Sequence, residues 1–85
     1  MKDFTYVITD EVGLHARPAG LLVKASGKYT SAVTVAVDNK TADAKRLFAL
    51  MQLGIKQGDE VKVTVVGDDE ETAYQELELF FKENL

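Results

Sequence analysis

Hydrophobic and polar residues alternate with a period of two in three parts of the chain. The alternation predicts three β-strands, over residues 2–8, 32–37 and 60–66. The middle segment places Val33, Val35 and Val37 on the same side, as expected for a strand with one buried face. Asp38-Asn39 is a turn signal directly after it, because both residues tolerate positive φ. A short fourth strand near residues 40–43 is therefore predicted to complete a hairpin.

Apolar residues recur at helical spacing in the remaining segments. Three helices are predicted, over residues 16–26, 46–53 and 69–83. The core-facing sides of the first and last helix are formed by Ala19, Leu22, Val23 and Ser26, and by Ala73, Leu77, Phe80 and Phe81. Pro18 lies in the first turn of its helix, where its missing N–H does no harm. Gly54 follows the second helix as a C-terminal glycine.

The elements follow one another in the order β-α-β-β-α-β-α. This order indicates a two-layer α+β sandwich in which the helices cover one face of the sheet. No linker interrupts the chain, so residues 1–85 are predicted to form a single domain. Ser31 lies between two predicted elements and is expected to be a turn residue.

The composition limits the possible environments and partners. The chain has no cysteine, which excludes disulfides and cysteine-ligated zinc, and no metal site is predicted. It shows neither a secretory signal nor a run of about 20 apolar residues, so we expect a cytoplasmic protein without membrane insertion. The net charge of −4 argues against general nucleic-acid binding.

The charges are unevenly distributed along the chain. Acidic residues crowd the C-terminal segment, whereas the middle of the chain is basic and carries Arg17, Lys24, Lys28, Lys40, Lys45 and Arg46. A locally basic face on an acidic protein suggests an acidic partner or a phosphorylated group.

His15 is the only histidine of the chain, Pro18 is the only proline, and Arg17 lies between them. Near neutral pH a histidine can serve as nucleophile, base or phosphate acceptor. If His15 caps the first helix, the N–H groups of Ala16 and Arg17 are free to bind an anion on the imidazole, and the guanidinium adds a positive charge. Gly13 would let the preceding loop turn sharply. A lone histidine before a helix also suits a capping or surface role, so both interpretations stay open.

The segment Gly13-Leu14-His15-Ala16-Arg17-Pro18-Ala19 resembles the active-site motif of HPr, the histidine-containing phosphocarrier family of the sugar phosphotransferase system. The segment from Lys45 to Ile55 resembles the second signature of that family, and the spacing of the two segments agrees as well. The similarity extends over essentially the whole chain. It implies an open-faced β-sandwich with a four-stranded antiparallel sheet and three helices on one face.

The resemblance implies a phosphoryl carrier rather than an enzyme. In the family, enzyme I passes phosphate from phosphoenolpyruvate to the Nδ1 atom of the histidine, here His15, and the IIA domain of a sugar permease receives it. Arg17 would stabilise the phosphoryl group, with help from the backbone N–H groups of Ala16 and Arg17, and Pro18 would shape the helix start. No cofactor is implied, and we expect a monomer.

Family members dock through an apolar patch beside the histidine, which corresponds here to Leu47, Phe48 and Met51, with Lys24 and Gln52 at its rim. A helix of this length cannot bury so many apolar side chains on one face. Leu50 and Leu53 are therefore assigned to the core and the patch to an exposed face, which is typical of a docking site. The alternative is that all of these apolar residues belong to the core.

Position 46 departs from many Gram-positive relatives, which carry a regulatory serine there. Arg46 cannot accept a phosphate, so serine-linked regulation at this position is expected to be absent. A cation at a helix N-terminus is unfavourable by about 0.3–1 kcal/mol, which a nearby carboxylate such as Asp43 could offset. Stronger docking to acidic partner surfaces is one interpretation of Arg46, and a solvated side chain is the other.

Other function classes compete with the carrier. A regulatory adaptor would bind a transcription factor or an enzyme through the same patch, whether or not His15 is phosphorylated, and a nitrogen-related branch of the phosphotransferase system belongs near this hypothesis. An RNA-binding split-βαβ module is disfavoured by the acidic balance and by the lack of paired aromatic residues on a central strand. An autonomous enzyme is disfavoured because no second catalytic group accompanies His15.

Overall fold

A computed structural model describes all 85 residues and contains one four-stranded sheet. Its strands are β1 (Lys2–Val7), β2 (Ala32–Val37), β3 (Lys40–Asp43) and β4 (Glu60–Val66). They lie in the order β1-β4-β2-β3, and every neighbouring pair is antiparallel. The chain segment between β1 and β2 therefore passes over β4, which lies between them. The four predicted strands and the antiparallel sheet are confirmed.

Three helices cover one face of this sheet: α1 (Ala16–Ser26), α2 (Leu47–Gln52) and α3 (Glu70–Asn84). The two central strands, β2 and β4, bury every second residue, such as Val61, Val63 and Val65 of β4, because successive side chains point to opposite faces. These side chains form one core cluster with buried residues of all three helices, including Leu22, Leu50 and Leu77. The fold is the predicted open-faced α+β sandwich.

The helix and strand boundaries differ from the predicted ones by one residue at most. The buried faces of α1 and α3 differ in detail from the predicted ones. Phe80 is only half-buried at the edge of α3, where Ala73, Leu77 and Phe81 form the buried stripe, and Val23 of α1 is also half-buried. The predicted hairpin is present, with Val37 paired to Lys40, but Asp38 alone takes positive φ there, at 52°. Gly54 follows α2 with φ of 65°, as expected for a C-terminal glycine.

Ser31 is a core residue rather than a simple turn residue. It is 1% exposed, and its hydroxyl and N–H both donate to the carboxylate of Asp69. Asp69 also accepts from the N–H of Thr30 at 3.0 Å, so one carboxylate holds the loop before β2 against the start of α3. A Cβ on Gly67 would lie 2.5 Å from the Ser31 Oγ, which leaves room only for glycine. Sequence patterns did not reveal this contact because its partners are 38 residues apart.

Candidate functional site

Backbone contacts with residues 55 and 56 hold the loop between β1 and α1 in place. Gly13 has φ of 78°, and a Cβ there would lie 2.5 Å from the Ile55 carbonyl oxygen and 2.6 Å from the Lys56 Cα. The N–H of Leu14 donates to that same carbonyl at 3.1 Å. Gly13 therefore permits both the turn and a close approach of the loop to Ile55 and Lys56. Its effect is to hold the loop that presents His15.

His15 is the N-cap residue of α1, as predicted. Its backbone is extended, its carbonyl accepts from the Ala19 N–H at 2.9 Å, and its side chain does not cap the helix. The imidazole is exposed. Ala16 and Arg17 open the helix, where N–H groups have no intrahelical partner, and the buried Pro18 follows without an N–H. Two donors without an intrahelical partner and the positive end of the helix dipole thus directly follow His15 in the chain.

Arg17 is also exposed and its guanidinium takes part in no ion pair. The three ion pairs of the protein involve instead the terminal amine of Met1, Lys2 and Lys62. Because no carboxylate neutralises it, the Arg17 guanidinium can offer its full charge and its fork of donors to an anion.

His15 and Arg17 share a surface depression of about 190 Å³. Pro18 also lines it, together with three residues that sequence reasoning did not single out: Asp10, Leu21 and Asn84. Asp10 could have been noticed as a carboxylate in the loop before His15, and Leu21 follows Arg17 by one helical turn. No local pattern points to Asn84, which comes from the far end of the chain.

The surface of α2 divides into an inner and an outer side as predicted, with one correction. Leu50 and Leu53 are buried, whereas Phe48 is 76% exposed and Met51 is 40% exposed. Leu47 is half-buried and packs against the core, so it belongs to the exposed patch only in part. Its assignment to the outer face alone is wrong because Leu47 lies three residues before the buried Leu50 and therefore on the same side of the helix.

A second depression is lined by Arg46, Leu47, Phe48, Ala49 and Gln52. The patch residues Arg46, Leu47, Phe48 and Gln52 are therefore brought together, while Met51 and Lys24 lie outside this depression. Lys24 is exposed in the last turn of α1. Arg46 is the N-cap residue of α2 and its side chain makes no cap hydrogen bond. Asp43 does not neutralise it, because its carboxylate accepts from the Lys45 N–H and forms no ion pair.

The six basic side chains from the middle of the chain differ in their contacts. The Nζ atoms of Lys40 and Lys45 donate to the carbonyls of Leu53 and Tyr29, at 3.0 and 2.8 Å. The four others of the basic group form no ion pair and are exposed: Arg17, Lys24, Lys28 and Arg46. The helical layer therefore presents unpaired cations to a partner. No cluster of three or more histidine and carboxylate ligands is present, and none of the helices is both long and apolar enough to span a bilayer.

Comparison with known proteins places this geometry in a family. The family model described as "PTS HPr component phosphorylation site" matches residues 2–83. The chain belongs to the HPr family. It is similar to the phosphocarrier protein HPr of Mycoplasma capricolum, with 38% identity over 91% of this chain and 86% of that protein. HPr from Thermoanaerobacter tengcongensis is 42% identical, with 98% of this chain and 93% of that one covered and a TM-score of 0.92.

The HPr family also includes structural relatives that assemble as dimers. Crh of Bacillus subtilis, a catabolite repression protein, is 34% identical over 94% of this chain and 92% of that one, with a TM-score of 0.78, and is described as a swapped, intertwined dimer. Membership in the HPr family establishes a phosphocarrier protein of the phosphotransferase system. The acceptor residue and the partners of this chain are proposals.

Proposed function

We propose that this HPr family member accepts a phosphoryl group on His15 from phosphorylated enzyme I and passes it to the IIA domain of a sugar permease. The observation that carries the proposal is the exposed imidazole at the start of α1, next to the unpaired guanidinium of Arg17. An anion on that imidazole would meet two free N–H donors, a helix N-terminus and a full positive charge. No other exposed side chain of the protein combines these features.

The chain is proposed to act as an intermediate and not as an enzyme with a substrate of its own. His15 stands alone as a nucleophile, and the depression around it is open to solvent. Exclusion of water, which phosphoryl transfer requires, would come from the partner covering the depression. The family resemblance implies Nδ1 as the phosphorylated atom, and neither a cofactor nor a metal ion is proposed.

Docking is proposed to use the outer side of α2. Phe48 and Met51 offer exposed apolar area, Leu47 contributes its accessible part, and Arg46, Lys24 and Gln52 supply the polar rim. An exposed apolar patch with a basic border fits partner surfaces that are apolar in the centre and acidic at the edge. Arg46 carries no hydroxyl, so phosphorylation at this position is proposed to be absent.

The decisive experiment combines the protein with phosphoenolpyruvate, magnesium and enzyme I. Intact-mass analysis at alkaline pH should show one added phosphate, because phosphohistidine is acid-labile. His15→Ala should take up none, while Lys62→Gln, an exposed variant on the uncovered face of the sheet, should be loaded like the parent. Equal uptake by His15→Ala and the parent would rule out the proposed acceptor.

A regulatory adaptor is the second candidate, and the likeness to Crh favours it. It would use the Phe48 and Met51 surface to bind a transcription factor or an enzyme without phosphoryl transfer. A pull-down with the parent and with His15→Ala separates the two functions. Partners retained equally by both proteins support the adaptor, and partners lost with the imidazole support the carrier.

The assembly state is proposed to be a monomer with one domain over residues 1–85. All buried apolar residues belong to one core cluster, so no second chain is needed to complete it. Sedimentation over a range of protein concentrations tests this proposal. A concentration-independent dimer would instead place this chain with the dimeric Crh structures.

A further inference from the structure

A carboxylate lies in the depression that would receive the phosphoryl group. Asp10 lines it together with His15 and Arg17, and is the only acidic residue that does. Its neighbour Glu11 is exposed and lies outside the depression. The site therefore contains one fixed cation and one carboxylate around the imidazole, and the carboxylate forms no ion pair.

Three hydrogen bonds hold Asp10 in place. Its Oδ1 accepts from the N–H of Val12 at 2.9 Å, and its carbonyl accepts from the N–H of Gly13 at 3.1 Å. Its own N–H donates to the Leu85 carbonyl at 2.9 Å. A side chain that closes such a turn on its own loop is restricted in its rotation. The negative charge of Asp10 therefore cannot move freely away from an anion that arrives on His15.

We propose that Asp10 makes the phosphoryl group on His15 easier to release, by placing a fixed negative charge beside it. This inference rests on the proposed phosphorylation of His15. A phosphoryl group carries close to two negative charges at neutral pH, so the carboxylate raises the free energy of the loaded protein. Arg17 acts in the opposite direction. The pair sets a balance in which the group is accepted but not held tightly, as a relay requires.

The affected step is cleavage of the N–P bond. When the group leaves, the imidazole nitrogen keeps the bonding electron pair and phosphorus forms a new bond, to a partner nucleophile or, in hydrolysis, to the oxygen of water. Hydrolysis yields inorganic phosphate, and the proton balance is completed by that water. The departing group is metaphosphate-like and carries less negative charge than the bound one, so repulsion by Asp10 is relieved as the bond breaks.

The test compares phosphoryl lifetimes in protein loaded with enzyme I and phosphoenolpyruvate, then separated from both. Asp10→Asn is the informative variant, because its amide oxygen still accepts from the Val12 N–H while its charge is gone. Asp10→Ser is a second neutral variant that keeps an acceptor. Glu11→Gln is the matched control, since it removes the same charge from the adjacent exposed position. Decay is followed by intact mass at alkaline pH.

Both Asp10 variants should lose phosphate about three- to tenfold more slowly than the parent, and Glu11→Gln should decay like the parent. The difference should shrink at high salt, because an exposed charge interaction is screened. Unchanged decay in both Asp10 variants, or equal slowing by Glu11→Gln, overturns the inference alone. Failure of the parent to take up any phosphate overturns the proposed function, and the inference with it.

Discussion

The Asp69 carboxylate ties the loop before β2 to the start of α3, where Asp69 is the N-cap residue. It accepts from the Ser31 hydroxyl and from the N–H groups of Thr30 and Ser31. The hydrogen bond from the Ser31 hydroxyl, followed by that from the Thr30 N–H, lowers the pKa of Asp69 from its ordinary 3.8 to about 2. Hydrogen bonds to the ionised form favour that form, so the contact is strongest when the carboxylate is charged.

The first prediction concerns the pH dependence of stability. Because the pKa of Asp69 is lower in the folded than in the unfolded chain, its contribution is complete above pH 3.8 and is lost as the pH falls toward about 2. Urea unfolding of the parent and of Asp69→Asn should show a gap in unfolding free energy that is widest at neutral pH. The gap should close between pH 4 and 2.

Asp68→Asn provides the control for this prediction. It removes the same charge from the neighbouring residue, which is exposed. The unfolding free energy of Asp68→Asn should follow that of the parent across the whole pH range. A gap between the parent and Asp69→Asn that stays constant down to pH 2 would show that the carboxylate contributes through shape alone.

At the scale of single elements, α2 has two sides that serve different purposes. Leu50 is fully buried in the core, and Phe48, two residues earlier, is 76% exposed. Leu50→Ala should cost about 2–5 kcal/mol of unfolding free energy, because it opens a cavity. Phe48→Ala should change stability by about 0.5 kcal/mol or less. Urea denaturation measures both, and a costly Phe48→Ala would contradict the docking interpretation.

The two α2 variants should rank in the opposite order in their effect on phosphoryl transfer. Phe48→Ala should raise the KM of enzyme I for this protein as the phosphoryl acceptor, because the exposed ring is proposed to enter the partner interface. Any loss of phosphoryl-transfer rate in Leu50→Ala should disappear when the rates are corrected for the fraction of protein that is folded. If only Leu50→Ala lost transfer rate after this correction, the inner side of the helix would make the docking contact.

Two glycines should respond to alanine in opposite directions. Gly20 lies within α1, and a Cβ there would meet no atom within 4 Å. Gly20→Ala should therefore stabilise the protein by about 0.5–1 kcal/mol, because alanine loses less backbone entropy in a helix. Gly67→Ala should destabilise it by about 1–3 kcal/mol, because the φ of Gly67 is 154° and the new Cβ would meet Ser31. Thermal unfolding of both variants checks the signs, and stabilisation by Gly67→Ala would contradict the observed packing.

The elements also show what the sequence can and cannot predict. Alternation, helical spacing and the Asp38-Asn39 turn signal were enough for the four strands, for the three helices and for the separation of Leu50 from Phe48, because these are local patterns. The Ser31–Asp69 contact joins residues 38 positions apart, and the depression around His15 takes Asn84 from the end of α3. Such neighbours are set by how the layers pack, for which a single sequence contains no periodic signal.

At the scale of the whole molecule, unpaired cations lie on α1 and at the start of α2, whereas α3 carries five glutamates. The protein is acidic overall, with a net charge of −4, yet Arg17, Lys24 and Arg46 on the helical layer stay free of ion pairs. Lys62, by contrast, is on the uncovered face of the sheet and pairs with Asp3 at 3.9 Å. An acidic partner would therefore be attracted to the part of the helical layer formed by α1 and α2, and to the imidazole.

The final prediction uses this segregation. Arg46→Gln should lower kcat/KM for phosphoryl uptake from enzyme I by about three- to tenfold at low salt, because it removes an unpaired cation from the proposed interface. Lys62→Gln changes the net charge by the same amount on the uncovered face, and its kcat/KM should match that of the parent. Raising the salt from about 0.05 M to about 0.5 M should bring Arg46→Gln and the parent together, because the Debye length falls to a few ångströms. Equal losses in both variants would mean that the total charge of the protein, and not the position of Arg46, guides the encounter with enzyme I.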